Sequence, residues 1–330
     1  MPKKVLITGI TGFAGSHLAD LLLEDPNIEL YGFKRWHLSS MRNVRHIENK
    51  VKWYDVDVTD AIGCHKALSE IRPDEIYHLA AESFVSPSWD HPCHYMDVNY
   101  MGTVNMMEAM RQLKLDNTRI LLPGSGEEYG EIYEHEIPIT PESILRPVNP
   151  YAVTKVAQDL IGWVYFKSYG TKVIRSRAFN HEGPRRHHVF GIAWYAYSVA
   201  RIEAGLQEPV IETGHTSDKR NFTHIRDLVT AYKLAMEKCV PGELYLIGSE
   251  RANSIYTFQE VAEKLAKMST VNGITTKVAD KFVRPTAVPR LIGDCSKFAN
   301  LTGWKPQIEF DDMLEDILNY WRDYVKQGLY

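Results

Sequence analysis

The chain has 330 residues, 44% hydrophobic and 24% charged, the composition of a globular protein able to fill one large core or two smaller ones. A formal net charge of -4 leaves no polybasic signature, which argues against nucleic acid or an anionic membrane as the main partner. No apolar run is long enough to span a bilayer, the first residues lack the apolar core of a signal peptide, and Cys64, Cys93, Cys239 and Cys295 form no metal-spaced pair, so reduced thiols in a cytoplasmic protein are expected.

Residues 4–8 form a short apolar strand that runs into Gly9-Ile10-Thr11-Gly12-Phe13-Ala14-Gly15, and residues 16–23 read as a helix. Strand, glycine turn and helix are the context of a dinucleotide fingerprint, here spaced GxxGxxG. The glycines let the backbone approach a pyrophosphate, whose charge the helix N-terminus stabilises. Residues 29–33 form a second strand followed by Lys34-Arg35, where an acid would bind a ribose 2′-hydroxyl. An arginine there accommodates a 2′-phosphate instead. NADP is therefore the expected cofactor, with Arg35 the main contact and Lys34, Ser39 and Arg42 as helpers; a solvated basic loop is the alternative.

Residues 51–58 alternate as a third strand and close on Thr59-Asp60, a helix cap. A fourth strand, residues 75–81, passes through Leu79-Ala80-Ala81 into Glu82-Ser83-Phe84-Val85-Ser86. Parallel strands alternating with helices imply a doubly wound α/β sheet with ligands at the carboxyl ends of its strands. A helix at residues 102–113 carries apolar residues Val104, Met107, Met110 and Leu113, which read as core or a helix–helix contact rather than a ligand box. Residues 119–122 form a fifth strand, ending in Pro123-Gly124-Ser125-Gly126-Glu127-Glu128-Tyr129-Gly130. Ser125 is placed to hydrogen-bond a substrate oxygen, and Glu127 or Glu128 to transfer a proton, although loop glutamates are often merely solvated.

Asn149 and Pro150 then mark the start of a helix that carries Tyr151 and Lys155 on one face. An ammonium one turn from a phenol favours the phenolate, and such a phenol can take a proton from an alcohol as hydride leaves the same carbon. A sixth strand, residues 172–177, leads into Phe179-Asn180-His181-Glu182-Gly183-Pro184-Arg185-Arg186. Further arginines, Arg220 and Arg284, lie in later mixed loops. Guanidinium groups gathered from separate loops suit a diphosphate, because each makes forked hydrogen bonds to its oxygens. An amphipathic helix over residues 310–324 closes the chain. The sequence divides near Asn180, giving a nucleotide-binding domain at 1–180 and a smaller substrate-binding domain at 181–330, with some later segments returning to the first.

The glycine spacing, the Tyr151–Lys155 pair and Ser125 resemble the extended short-chain dehydrogenase/reductases over nearly the whole chain, which implies a Rossmann-type sheet. More narrowly, Gly32-Phe33-Lys34-Arg35, Ala81-Glu82-Ser83-Phe84-Val85, the stretch from Asn180 to Arg186 and Arg284-Pro285-Thr286-Ala287-Val288 are similar to the GDP-mannose 4,6-dehydratase family. Its dehydratases usually carry Thr-Ser-Glu where this chain has Ser125-Gly126-Glu127, a run closer to the sister 4-keto-6-deoxymannose reductases. Pro184-Arg185-Arg186 favours the dehydratases, and Trp36 stands where they have a second arginine.

The resemblance implies that Tyr151 takes a proton from the sugar 4-hydroxyl, that Lys155 holds the nicotinamide ribose, and that Ser125 shares a hydrogen bond with the sugar oxygen. Glu127 would then remove the C5 proton and assist loss of the 6-hydroxyl. NADP would lie against Gly9, Thr11, Gly12, Phe13, Ala14, Gly15, Lys34, Arg35, Asp57, Val58, Leu79, Ala80, Ala81, Ser83 and Asn180, with adenine near Asp57 and Val58. The sugar nucleotide, GDP-mannose first among candidates, would meet Ser83, Val85, Ser125, Glu127, Glu128, Tyr151, Asn180, Arg185, Arg186, Arg220 and Arg284. No metal is expected. The family pairs through the helices at 102–113 and 151–167 and forms tetramers across the cofactor loop, so a homodimer or homotetramer is expected. The rival readings are a 4-keto reductase, a dehydratase or epimerase on another nucleotide sugar, and a non-catalytic NADP-binding regulator.

Overall fold

A computed structural model of the chain describes residues 2–286 and 288–328; Ala287, in one of the family-like stretches, lies outside them. Strands β1 (Lys3–Thr8), β2 (Ile28–Lys34), β3 (Lys52–Asp55), β4 (Glu75–His78), β5 (Arg119–Ser125) and β6 (Lys172–Ala178) alternate with helices α1 (Phe13–Leu22), α2 (Ala61–Ile71), α3 (Pro92–Met96), α4 (Gly102–Gln112) and α5 (Pro150–Tyr169). Later come β7 (His181–Glu182), α6 (Gly191–Glu203), β8 (Val210–Thr213), β9 (Lys219–Asn221), β10 (Thr223–His224), α7 (Ile225–Lys238) and β11 (Leu244–Ile247). The chain ends through β12 (Ile255–Thr257), α8 (Phe258–Lys267), β13 (Thr275–Val278), β14 (Arg290–Leu291), α9 (Ser296–Thr302) and α10 (Phe310–Lys326).

The main sheet is parallel throughout, in the order β11-β6-β5-β4-β1-β2-β3. Because β1 has β2 on one side and β4 on the other, the chain reverses direction across the sheet there, and a crevice opens beyond the carboxyl ends of β1 and β4. Leu18, Leu22, Leu228, Tyr232 and Ala235 from α1 and α7 cover one face, and Leu68, Met106, Met110 and Tyr165 from α2, α4 and α5 cover the other. A separate cluster built on Ile192, Val199, Val261, Leu265, Leu314, Ile317 and Trp321 joins α6, α8 and α10 beside the sheet.

Local chemistry explains where the elements start and stop. Asn149 caps α5 by accepting from the Ala152 N–H at 2.8 Å, Pro150 takes the first helical position, and Gly170 ends the helix at φ 70°. Asp60 caps α2, accepting from the Ile62 N–H at 3.0 Å. α1 begins at Phe13, three residues before the expected start, because its N-cap is Gly12 and no side chain marks the boundary. Before α4 the chain is already helical from Pro92, with a π-turn at Asp97–Met101. β5 continues to Ser125 through Pro123; beyond Leu121 it pairs only with β6, and one-sided pairing tolerates a proline.

Candidate active site

The crevice beyond β1 and β4 is a cavity of about 750 Å³, within the size range of small-molecule sites. Gly9, Thr11, Gly12, Phe13, Ala14 and Gly15 form one wall. Gly9 has φ +68°, and a Cβ on it would lie 2.8 Å from the Ala80 nitrogen; a Cβ on Gly15 would lie 2.3 Å from the Gly9 carbonyl. Only glycine fits either place. The N-terminus of α1 has no side-chain cap and faces this wall, which leaves its first-turn amides for an anion.

Lys34, Arg35, Ser39, Asp57 and Val58 line the end of the cavity beside β2 and β3, and Leu79, Ala80, Ala81, Ser83, Val85 and Asn180 line its middle. Lys34 is paired with Asp55 at 2.5 Å, whereas Arg35 is exposed. Arg42 departs from expectation. It does not line the cavity; its guanidinium stacks 3.8 Å above the Tyr324 ring on α10.

Ser125, Glu127, Tyr151 and Lys155 meet on the cavity floor. Asn149, besides capping α5, donates from Nδ2 to Glu127 Oε2 at 3.1 Å, which fixes the glutamate next to the helix start that carries Tyr151. Burial pushes the Tyr151 phenol well above the usual tyrosine range, with the Ser125 hydroxyl acting against that shift. This corrects the expectation of a Lys155-acidified phenol. The Lys155 ammonium is instead bonded to Gln158 Oε1, and burial pulls its pKa down while Glu128 and Asp159 oppose.

Arg186, Arg220 and Arg284 line the cavity from three separate segments. Arg220 is 4% exposed, donates to its neighbour Lys219's carbonyl at 2.9 Å and lies 3.6 Å from Asp218; burial lowers its pKa against the pull of Glu127 and Asp218. Arg186 lies over the Phe190 ring at 3.9 Å and pairs with Glu182 at 3.3 Å. Two residues expected to face substrate do not line the cavity. Arg185 turns outward at φ 70° to pair with Asp20 at 2.7 Å. Glu128 is fully buried behind the floor, where its Oε1 accepts from the Ser125 N–H at 2.7 Å and its Oε2 pairs with Arg177 at 2.6 Å.

A buried chain of neutral groups, which sequence reasoning missed, runs behind Lys155. Gln158 Nε2 donates to Thr103 Oγ1 at 2.8 Å, and Thr103 donates to the Asn99 carbonyl at 2.8 Å. His78 lies between Thr103 Oγ1 at 3.1 Å and Thr8 Oγ1 at 3.0 Å, and Thr8 accepts from the Ala80 N–H at 3.1 Å. With the Thr103 proton committed to Asn99, His78 must donate from Nε2 and accept on Nδ1, which assigns its tautomer. Burial pushes the His78 pKa down to about 3, with the Lys155 charge adding to the shift. The π-turn places Asn99 so that its side chain bonds the Glu82 backbone at 2.8 and 3.0 Å and Thr154 Oγ1 at 2.9 Å. Helical periodicity alone could have flagged Gln158, three residues beyond Lys155.

A family model described as GDP-mannose 4,6 dehydratase matches residues 6–317. A Cricetulus griseus GDP-mannose 4,6 dehydratase is 31% identical, the alignment covering 96% of this chain and 91% of that protein. The Sordaria araneosa GDP-mannose 4,6-dehydratase sdnI is 30% identical over 99% of this chain, which spans 62% of that protein's length. A GDP-6-deoxy-D-mannose reductase of Pseudomonas aeruginosa is 28% identical over 99% of this chain and all of its own. Among solved structures, that of RMD from Pseudomonas aeruginosa complexed with NADPH superposes with a TM-score of 0.82 at 27% identity, covering 97% of this chain and 99% of that one.

Proposed function

This chain belongs to the GDP-mannose 4,6-dehydratase family, and from that premise we propose that it is an NADP-dependent nucleotide-sugar 4,6-dehydratase whose substrate is GDP-mannose. The observation that carries the reading is the Asn149–Glu127 contact, which sets a carboxylate beside Tyr151 on the cavity floor. Oxidation or reduction at C4 needs only the Ser125, Tyr151 and Lys155 set. Dehydration needs one group more, a base for the C5 proton.

The residues present fit a nicotinamide dinucleotide: a glycine wall with no room for Cβ atoms, an uncapped helix N-terminus, and a basic side chain where the second strand ends. A bound NADP would supply the hydride acceptor for C4 of the sugar and the hydride donor for C6. Exposed Arg35 is free to meet a 2′-phosphate, which favours NADP over NAD; Arg35→Ala should weaken NADP about tenfold more than NAD in a titration of both. Equal weakening would remove Arg35 from cofactor selection.

Tyr151 receives the proton of the 4-hydroxyl, and Ser125 orients that oxygen by hydrogen bonding. Burial disfavours the phenolate, and the Ser125 hydroxyl and the Arg186 charge act against that, while Lys155, held by Gln158, would hold the nicotinamide ribose. Once C4 is a ketone the C5 proton becomes acidic, because the anion left behind is an enolate. Glu127 takes that proton and delivers it to the departing 6-hydroxyl, which leaves as water; once a hydride has been returned to C6, C5 regains one proton, which balances the one Tyr151 received from the 4-hydroxyl. Arg186, Arg220 and Arg284 would hold the diphosphate.

The 4-keto reductase is the second reading, favoured by one observation. Gly126 stands where dehydratases carry serine, and a Cβ on it would lie 3.1 Å from the Leu291 and Phe179 side chains, which a larger residue would press aside. Incubation with GDP-mannose and catalytic NADP separates the two. Loss of one water with no net change in NADPH is the expected outcome, and Glu127→Gln should cut it by about 10²–10⁴-fold with cofactor binding retained. NADPH consumed one-for-one on a 4-keto-6-deoxy sugar nucleotide, with GDP-mannose inert, would establish the reductase instead.

The assembly we propose is at least a homodimer through α5, whose Val153, Leu160, Trp163 and Val164 are exposed on its outer side. A monomeric mass in solution would rule that out. All four cysteines are unbonded, which suits a reducing cytoplasm.

A further inference from the structure

Three groups on the cavity floor come from two elements that share no backbone hydrogen bonds: Ser125 ends β5, while Tyr151 and Lys155 ride on α5. Backbone bonds between Arg146 and the turn at Tyr129 and Glu131 join the segments beside them, and an ionic bridge of side chains behind the floor connects the two elements themselves. Glu128 folds back so that Oε1 accepts from the Ser125 N–H at 2.7 Å and Oε2 from Arg177 Nε at 2.6 Å. Arg177, on β6, uses Nη2 to pair with Asp159 Oδ2 at 2.6 Å. Asp159 lies on α5 one turn beyond Lys155, and its Oδ1 is 3.2 Å from Arg175. Side chains of Glu128, Arg177 and Asp159 are 0%, 3% and 4% exposed.

We infer that Glu128 is a positioning residue, holding Ser125 in register with Tyr151 through the Glu128–Arg177–Asp159 bridge. The inference rests on the catalytic reading of Ser125 given above. The backbone is built for the arrangement: a Cβ on Gly124 would lie 2.3 Å from Glu128 Oε1 and 2.7 Å from the Ser176 carbonyl, so position 124 leaves the carboxylate its space. Charge is required as well as shape. Glu128 faces two N–H donors, and only a carboxylate accepts on both oxygens; an amide would turn an NH₂ group toward either Ser125 or Arg177. Burial pushes the Glu128 carboxyl up, and the Arg177 guanidinium opposes that shift from 2.6 Å away. Glu128 does not line the cavity, so it affects turnover through Ser125 and the helix, besides the charge it sets on Lys155 and Tyr151.

A double-mutant cycle distinguishes this role from simple support of the fold. Wild type, Glu128→Gln, Ser125→Ala and the double variant are compared in KM and in kcat read on the plateau of its pH profile, where altered titration of Lys155 and Tyr151 drops out, on GDP-mannose with NADP, or on a 4-keto-6-deoxy sugar nucleotide with NADPH if the wild type turns over only that. Glu128→Gln should lower kcat on the order of tenfold, since small misplacements of reacting groups cost that much, and leave KM within about twofold. In the Ser125→Ala background the same change should alter kcat by no more than about twofold, because coupled residues do not add. Equal factors in both backgrounds would overturn the proposal. Ser125→Ala with full activity would fail the catalytic reading itself and the inference with it, a separate result. If Glu128→Gln does not fold, Asp159→Ala leaves the Ser125–Glu128 contact intact and removes both acceptor oxygens, which cuts the tie to α5. Its loss of kcat should likewise vanish in the Ser125→Ala background, and an undiminished loss would again overturn the proposal.

Discussion

Two buried networks lie behind the catalytic floor and solve the same problem with different chemistry. Behind Lys155, Gln158, Thr103, His78 and Thr8 form a neutral chain in which every proton has one assignable place. Behind Ser125, Glu128, Arg177, Asp159 and Arg175 form an ionic one. A neutral chain gives direction at low desolvation cost but weak restraint per bond. Buried ions give short, stiff contacts, and each depends on its partner to stay tolerable in a dry interior. Lys155 is the one ammonium that the two share, since both Glu128 and Asp159 act on it from the ionic side. The lesson is that the neutral network should fail gradually and the ionic one abruptly.

The largest expected effect comes from breaking the ionic side. Arg177→Met leaves two buried carboxylates without their common cation, and the loss of one partner from such a pair costs about 3–5 kcal/mol. Urea unfolding of the variant should register that loss. Adding Glu128→Leu should recover part of the stability, because it removes one of the two stranded carboxylates while Asp159 keeps Arg175. The double variant should still turn over slowly, since Ser125 has lost its anchor. Recovery of both stability and activity would mean that the bridge serves the fold alone.

Gln158→Leu tests the neutral side and should cost less. It takes one acceptor from the Lys155 ammonium, which still opens on the cavity, and removes one donor to Thr103, a penalty of about 1–3 kcal/mol for an unsatisfied buried group. Turnover should fall along with stability, as Lys155 loses the group that aims it. A cost equal to that of Arg177→Met would erase the proposed difference between the networks.

Much of this was legible in the sequence, for physical reasons. The glycine turn, the Asn149-Pro150 helix start and the parallel strands each carry a local signature: a conformation, a cap, a hydrophobic run. Ser125, Glu127, Tyr151 and Lys155 were singled out because they follow such signatures, and they line one cavity. Glu128 and Arg185 were assigned to substrate because charged residues in loops look alike in sequence. Which of two adjacent glutamates turns inward depends on Arg177, 49 residues away, and on the room left by Gly124. His78 and Thr103 read as ordinary strand and helix residues, since their meeting requires the sheet to exist. Arg42 sits in the basic loop as expected, yet the Tyr324 ring on the distant α10 determines where it points.

The finest test of the contrast is pH. His78 is held neutral at a pKa of about 3, against about 6.5 in an unfolded chain. A group whose folded pKa is depressed leaves stability intact above the unfolded value and costs stability as pH falls toward the folded one. The window therefore runs from about pH 6.5 downward, and by pH 5.5 this one histidine should remove about 1.4 kcal/mol. His78→Gln keeps an acceptor for Thr8 and a donor for Thr103 while abolishing the titration. His17, His181 and His224 are also held down by burial, but they act in both proteins and cancel in the difference. Urea unfolding at pH 7.5 and 5.5 should thus show the variant losing about 1.4 kcal/mol less than the wild type. Equal losses would mean that His78 takes up a proton within the folded chain, and a charged His78 would turn both ring nitrogens into donors and break its bond from Thr8.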